Sequence, residues 1–124
     1  MAKLLFPILV ILAVAAGCAL EKPEGAMTVS ELLEDPVYDT EVTIYGEVSL
    51  LGQLNCPCFE LTSGGAEVQV WYDLMVEDDG TERPAASIEG IDNGDSVIVI
   101  GELKTAGQHR SLNDFWATTI VEMQ

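Results

Sequence analysis

Two thiols stand one residue apart at Cys56-Pro57-Cys58, followed by Phe59-Glu60-Leu61. In an extended chain residues i and i+2 project to the same side, so both sulfurs look one way. Three kinds of chemistry fit such a pair. It can be half-buried packing against the rings of Trp71 and Tyr45, because cysteine behaves as a small hydrophobe. It can close into a disulfide where the compartment is oxidising. Extended i, i+2 Cα atoms lie ~6.6 Å apart, at the upper edge of bridge geometry, so such a bond is expected to be easily reduced. Lastly, the thiolates can hold a soft metal. A structural zinc site takes four ligands, and here two thiols and one histidine are on offer, with Glu60 as a carboxylate to complete a set. A two-coordinate Cu(I) site asks less.

The remaining reactive inventory is thin. His109 is the only histidine and sits beside Arg110, in a segment rich in turn formers; it suits a metal or a ligand edge, and equally a solvated loop. Glu77-Asp78-Asp79-Gly80-Thr81-Glu82 offers oxygens to a hard cation, but Met75 stands where an EF-hand's first ligand belongs, so a solvated acidic loop is expected. No Ser-His-Asp grouping or Gly-rich phosphate loop appears, and no enzyme is read here. No cofactor is expected beyond a soft metal at Cys56 and Cys58.

The first residues set the compartment. Lys3, the apolar run from Leu4 to Ala16, and Gly17-Cys18 have the plan of a secretory signal. The run is short for a spanning helix, which needs ~20 apolar residues. Ala15-Ala16-Gly17-Cys18 resembles a lipobox, in which the cysteine is lipidated and becomes the new N-terminus. An uncleaved signal anchor is the alternative. Either way the chain is expected at the extracytoplasmic face of the cell membrane, with two acyl chains on Cys18 giving stable attachment. Residues 1–17 are then signal, 18–27 a tether, and 28–124 the folded domain.

Charge narrows the partners. The formal net charge is −16. Cleavage removes Lys3 and leaves four cations against 21 carboxylates, a charge of −17 over 107 residues. Such a field repels phosphate backbones and anionic lipid heads, so the anchor, not the surface, must hold the chain to a membrane. It suits a high-salt setting, or simply solubility. Single-strand nucleic-acid binding needs a basic groove with stacking rings. Tyr45 and Trp71 could stack, and Phe115-Trp116 adds two rings of which one is expected in the core, but Lys104 and Arg110 stand almost alone.

The elements that must position these groups are mostly strands. Thr28-Val29-Ser30-Glu31 matches a capping box, opening a short helix that stops before Asp35-Pro36. Apolar residues then alternate with polar ones over Val42–Val48, Cys58–Leu61 and Val68–Tyr72, and two apolar strands follow at Val97–Leu103 and Phe115–Glu122. Residues 73–87 read as a loop. Val42–Val48 and Val97–Leu103 share the pattern V-x-[IV]-x-G-E-[VL]. A late glycine marks a bend or bulge, and two bent strands suit a closed barrel better than a flat meander.

The leading helix, these strands, the Gly64-Gly65 hairpin and Gly94-Asp95-Ser96-Val97 opening a fourth strand resemble the OB-fold over residues 28–123. The chain is similar to an exported, membrane-anchored branch related to tRNA-anticodon-type domains. The resemblance implies an all-β, five-stranded Greek-key barrel with a helix before strand one. It also implies ligand binding on strands two and three and on the loops joining strands one–two and four–five.

A two-residue turn at Gly64-Gly65 sets Ser63 against Ala66, hence Leu61 against Val68, Phe59 against Val70, Glu60 against Gln69 and Cys58 against Trp71. Apolar pairs fall on one face and mixed pairs on the other; a one-residue slip would scramble both. The expected ligand face is therefore Tyr45, Cys56, Cys58, Glu60, Gln69 and Trp71, bordered by His109 and Arg110. The expected function is a non-catalytic binding module for an envelope protein, a glycan or a soft metal. Its rivals are single-stranded nucleic-acid binding and a Cys-pair metal or redox site.

Overall fold

The computed structural model describes residues 22–105 and 113–123; the signal, Cys18, His109 and Arg110 lie outside them. Among the described residues no helix is long and apolar enough to cross a membrane. The chain opens with a two-residue strand β1 (Met27–Thr28) and one helix α1 (Val29–Glu34). The barrel strands follow as β2 (Glu41–Ser49), β3 (Cys58–Ser63), β4 (Ala66–Trp71), β7 (Ser96–Lys104) and β8 (Asp114–Glu122). Between β4 and β7 lies a small ribbon of β5 (Met75–Val76) and β6 (Glu82–Arg83).

The sheet runs β1-β2-β3-β4-β8-β7 and closes through a β2–β7 pairing. β4 and β8 are parallel; the other barrel contacts are antiparallel. Closure removes free edges and encloses Ile44, Phe59, Leu61, Val70, Val99 and Phe115, all at 0% exposure.

The repeated glycine-bearing pattern has the expected consequence. Residues 41–47 of β2 pair with β7, and residues 47–49 pair with β3, so the strand changes partners just after Gly46. A Cβ at Gly46 would stand 2.5 Å from the Thr62 carbonyl oxygen. Gly101 sits at a bulge, where Ile100 pairs with Thr119 but Gly101 with Ala117. Both glycines are demanded by close backbone approach. β1 fills the stretch of β2 that β3 does not reach, pairing at Ile44 and Tyr45.

The helix begins where the capping box places it. The Glu31 N–H donates to Thr28 Oγ1 at 3.0 Å, and the Thr28 N–H donates to Glu31 Oε1 at 2.9 Å. Val29 and Leu32, both at 0% exposure, close one end of the barrel. Ser63 ties this start to the sheet: its hydroxyl accepts from the Val29 N–H and donates to the Tyr45 carbonyl. The Thr28 N–H, followed by the Lys22 ammonium, holds the Glu31 carboxyl down to about 2. A carboxyl depressed on folding stabilises above its unfolded value and loses that contribution as pH falls. The cap should therefore weaken between pH 4.5 and about 2. Thr28→Ala should cost about 1 kcal/mol near neutral pH. That variant keeps the backbone N–H that Glu31 accepts, so the pH dependence is read from Glu31→Gln: in urea melts its deficit should be smaller at pH 2 than at pH 7, and an equal deficit would refute the carboxylate half of the cap.

Residues 73–87 are more structured than a loop. Besides the β5–β6 ribbon, the Ala86 N–H donates to the Tyr72 carbonyl at 2.9 Å, and Ala86 and Ile91 enter the core. A two-pair ribbon whose apolar residues Leu74 and Val76 stay half exposed leaves no period for the eye to find.

Candidate site on the outer face of the barrel

The register of β3 and β4 is the one the glycine pair dictates, from Ser63–Ala66 through Glu60–Gln69 to Cys58–Trp71. Gly64 and Gly65 both have positive φ, 64° and 82°, as a two-residue hairpin turn requires. Phe59, Leu61, Val68 and Val70 point inward and are buried. Cys58, Glu60, Gln69 and Trp71 share the outer face.

Outward does not mean open at every position, and two members of the expected face need correction. Cys58 has 0% exposure. Tyr45 is 6% exposed and lies elsewhere. The β2–β3 register, Val48 with Leu61 and Ser49 with Glu60, extends to put Tyr45 level with the Gly64 turn and Cys58 level with Leu51. Six ladder positions make ~20 Å. The eight-residue connection between β2 and β3 left that register open in the sequence.

Cys56 and Cys58 are joined as a disulfide with Cα atoms 5.2 Å apart. That spacing lies inside the ordinary range for bridges. The chain bends just before β3, so the extended spacing that made a bridge awkward does not apply. Cys56 remains half-buried. The Gln69 side-chain amide donates to both sulfurs, at 3.1 Å to Cys58 Sγ and 3.4 Å to Cys56 Sγ. Trp71, across the ladder from Cys58, has a shielded indole Nε1–H with no acceptor among the described residues.

Beside this cluster Glu60 and Glu67 form a carboxyl pair. A hydrogen bond with Glu67, aided by burial, holds the Glu60 proton above the usual carboxylate range. Two carboxylates on neighbouring strands repel less when they share a proton.

A second constellation was not foreseen. β8 sets Trp116 next to Trp71, and β7 sets Lys104 opposite Asp114. Lys104 is 1% exposed. Its ammonium lies 4.7 Å from the centre of the Trp116 ring and bonds to Asp39 at 3.0 Å, Glu77 at 2.8 Å and Glu102 at 3.0 Å. Arg83 of β6 pairs with Glu102 at 2.9 Å. The ribbon is thus pinned to β7 from both its sides, by Glu77 just past β5 and by Arg83. Burial alone would pull the Lys104 ammonium down, but the bonds from Glu77, Asp39 and Glu102 outweigh it and hold Lys104 above the ordinary lysine value. Its burial gave no sequence signal, since a lysine ending an apolar strand reads as an exposed terminus.

Asp39, Glu77, Asp78 and Asp79 line a shallow cleft of about 270 Å³ beside this network. Among the described residues no three His, Cys, Asp or Glu groups are arranged to hold a metal ion. All three described cations, Lys22, Arg83 and Lys104, stand in ion pairs.

A closed five-stranded barrel with parallel β4 and β8 is an OB-type fold. The chain matches no protein-family model and no curated protein sequence. Its similarity is to solved structures. To the hypothetical protein ygiW from E. coli it has a TM-score of 0.53 and 17% identity, covering 85% of this chain and 98% of that one. To OBody AM3L09, described as bound to hen egg-white lysozyme, the values are 0.55 and 18%, covering 82% and 97%. To a chain from Leishmania major Friedlin described as an aspartyl-tRNA synthetase they are 0.55 and 21%, over 85% of this chain but 22% of that one. Likeness at these identities establishes the OB-type fold; ligands belong to sites, not folds.

Proposed function

We propose that the chain is an exported, lipid-anchored OB-type module that binds, and does not transform, a neutral or cationic ligand on the outer face of β3 and β4. The observation that carries this reading is the half-buried group of Trp71, Gln69 and Glu60 at adjacent register positions of one face. An indole supplies flat apolar area, the amide and the carboxyl supply directional hydrogen bonds, and Glu67 adds charge at the rim. That combination suits an envelope protein segment or a glycan. Support for anchoring at the extracytoplasmic face of the cell membrane comes from the apolar run Leu4–Ala16 followed by Cys18. A soft metal at Cys56 and Cys58 requires the reduced pair, because sulfurs joined to each other present no thiolate. Nucleic acid is disfavoured because the described cations are already engaged by carboxylates.

Tryptophan emission tests the reading, with buried Trp116 as a steady background. Titration with a cationic peptide or a neutral oligosaccharide should shift the Trp71 component. Trp71→Ala, which lacks the reporter and is followed by calorimetry instead, should bind about thirtyfold more weakly, the order expected for losing an aromatic hot spot. Thymidine oligonucleotides should give no response even at low salt. A salt-sensitive oligonucleotide affinity would instead favour the nucleic-acid reading.

A further inference from the structure

Three observations converge on the bridged cysteines. The ring that the disulfide closes has one intervening residue. Bridges stabilise chiefly in proportion to the length of chain they restrict, so this one adds little to the fold. The sulfurs differ in access: Cys56 is half-buried, whereas Cys58 is at 0% exposure. Gln69 aims its amide at both, more closely at Cys58.

We propose that Cys56–Cys58 is an exchange-active disulfide that accepts two electrons from a dithiol, with Gln69 holding Cys58 as the leaving thiolate. A thiolate of the dithiol attacks Cys56 Sγ, the accessible sulfur. The S–S electron pair passes to Cys58 Sγ, and a mixed disulfide remains on Cys56. The second thiol of the dithiol, once deprotonated, attacks its own partner sulfur in that mixed disulfide and expels Cys56 as a thiolate. Both cysteines then take up the protons the dithiol gave up. One disulfide and one dithiol yield two cysteine thiols and the oxidised dithiol.

Exchange runs faster as the leaving thiol becomes more acidic. N–H donors aimed at sulfur favour the thiolate. The carboxyls of Glu60 and Glu67 work against this, and the Gln69 amide, in direct contact with Cys58 Sγ, opposes them. Gln69 is thus a positioning residue whose amide selects which sulfur leaves. The inference stands apart from the ligand proposed above, because it concerns sulfur chemistry that proceeds whether or not the face is occupied.

The test uses the full chain, purified without reductant and treated with limiting dithiothreitol. Reaction is quenched by alkylation and mapped by peptide mass. The intact chain should first show two hydrogens fewer than the dithiol form. Cys58→Ser should then capture a mixed disulfide with oxidised glutathione at Cys56, whereas Cys56→Ser should capture far less at Cys58. Gln69→Leu should slow reduction about tenfold or more, the order of a hydrogen bond to a charged group, and should leave the melting temperature within a few degrees. Equal capture at the two sulfurs, or an unchanged rate in Gln69→Leu, would overturn the assignment. So would free thiols in the chain as isolated from an oxidising medium, or a collapse of thermal stability on reduction, which would mark a structural staple. Loss of ligand binding in Trp71→Ala with normal exchange would leave this inference standing on its own.

Discussion

Lys104→Met should lower stability by about 3 kcal/mol, the low end of the range for breaking a buried ion pair. The substitution keeps the stem over Trp116 and removes only the ammonium. Asp39, Glu77 and Glu102 then lose the ammonium they share, while Arg83 still pairs with Glu102. The low end applies because the Asp39 side chain, 53% exposed, can turn to water, whereas Glu102 at 14% cannot do so as freely. For a domain of this size a loss of that order lowers the melting temperature by roughly 12 °C or more. Adding Glu77→Gln to Lys104→Met should recover part of it by removing one of the carboxylates that had shared the ammonium. A melting curve of Lys104→Met that overlays the parent would show the network to be ornamental. The pH dependence has a definite sign. Lys104 is raised on folding, so its contribution is complete below 10.5 and lost as pH climbs through the higher folded value. Stability should therefore fall more steeply in alkali for the parent than for Lys104→Met.

Gly101→Ala should cost about 2–3 kcal/mol, in the upper part of the usual range for overpacking. A Cβ there would stand 2.1 Å from the Trp116 carbonyl oxygen and 2.9 Å from Ala117 Cα. Both are backbone atoms, which cannot swing aside as a flexible side chain can. Relief requires opening the β7–β8 bulge, and that shift would move Trp116 and the ammonium seated on its ring. The variant should thus lose part of the Lys104 network as well as packing. A double-mutant cycle with Lys104→Met checks this: coupling of about 0.5 kcal/mol or more is expected for sites sharing one backbone shift. Strict additivity would place the whole cost in the local clash. Gly65, where an added Cβ meets nothing within 4 Å, offers a contrast in which only the positive φ opposes substitution.

These two sites also mark how far the sequence can be read. Residues 42–48 and 97–103 announce themselves twice over, by alternation and by a glycine at the same point. The structure uses both glycines for the close approaches that closing a barrel requires. The Gly64-Gly65 turn fixes every pair of the β3–β4 ladder, because two residues of positive φ leave one register that also buries the apolar set. The capping box at Thr28 and Glu31 is equally local. In each case the deciding contacts lie within a few residues of one another, where pattern and geometry coincide.

Tyr45, Lys104 and residues 73–87 obey a different logic. Tyr45 shares an alternation class with exposed residues, yet it lies level with the Gly64 turn, because the β2–β3 register is set across a long connection. Lys104 is polar by type and buried by partners drawn from residues 39, 77 and 102, a combination no window of sequence contains. The β5–β6 ribbon is held by charge to a strand that follows it. The succession of strands along the chain, the inward face and the Gly64-Gly65 turn were thus determined by the chain's own local pattern. Which outward side chains stay open, and which are sealed beneath a ribbon and an ion network, was decided only when barrel closure brought distant segments together. Side-chain direction is a property of a strand, but exposure is a property of everything packed around it.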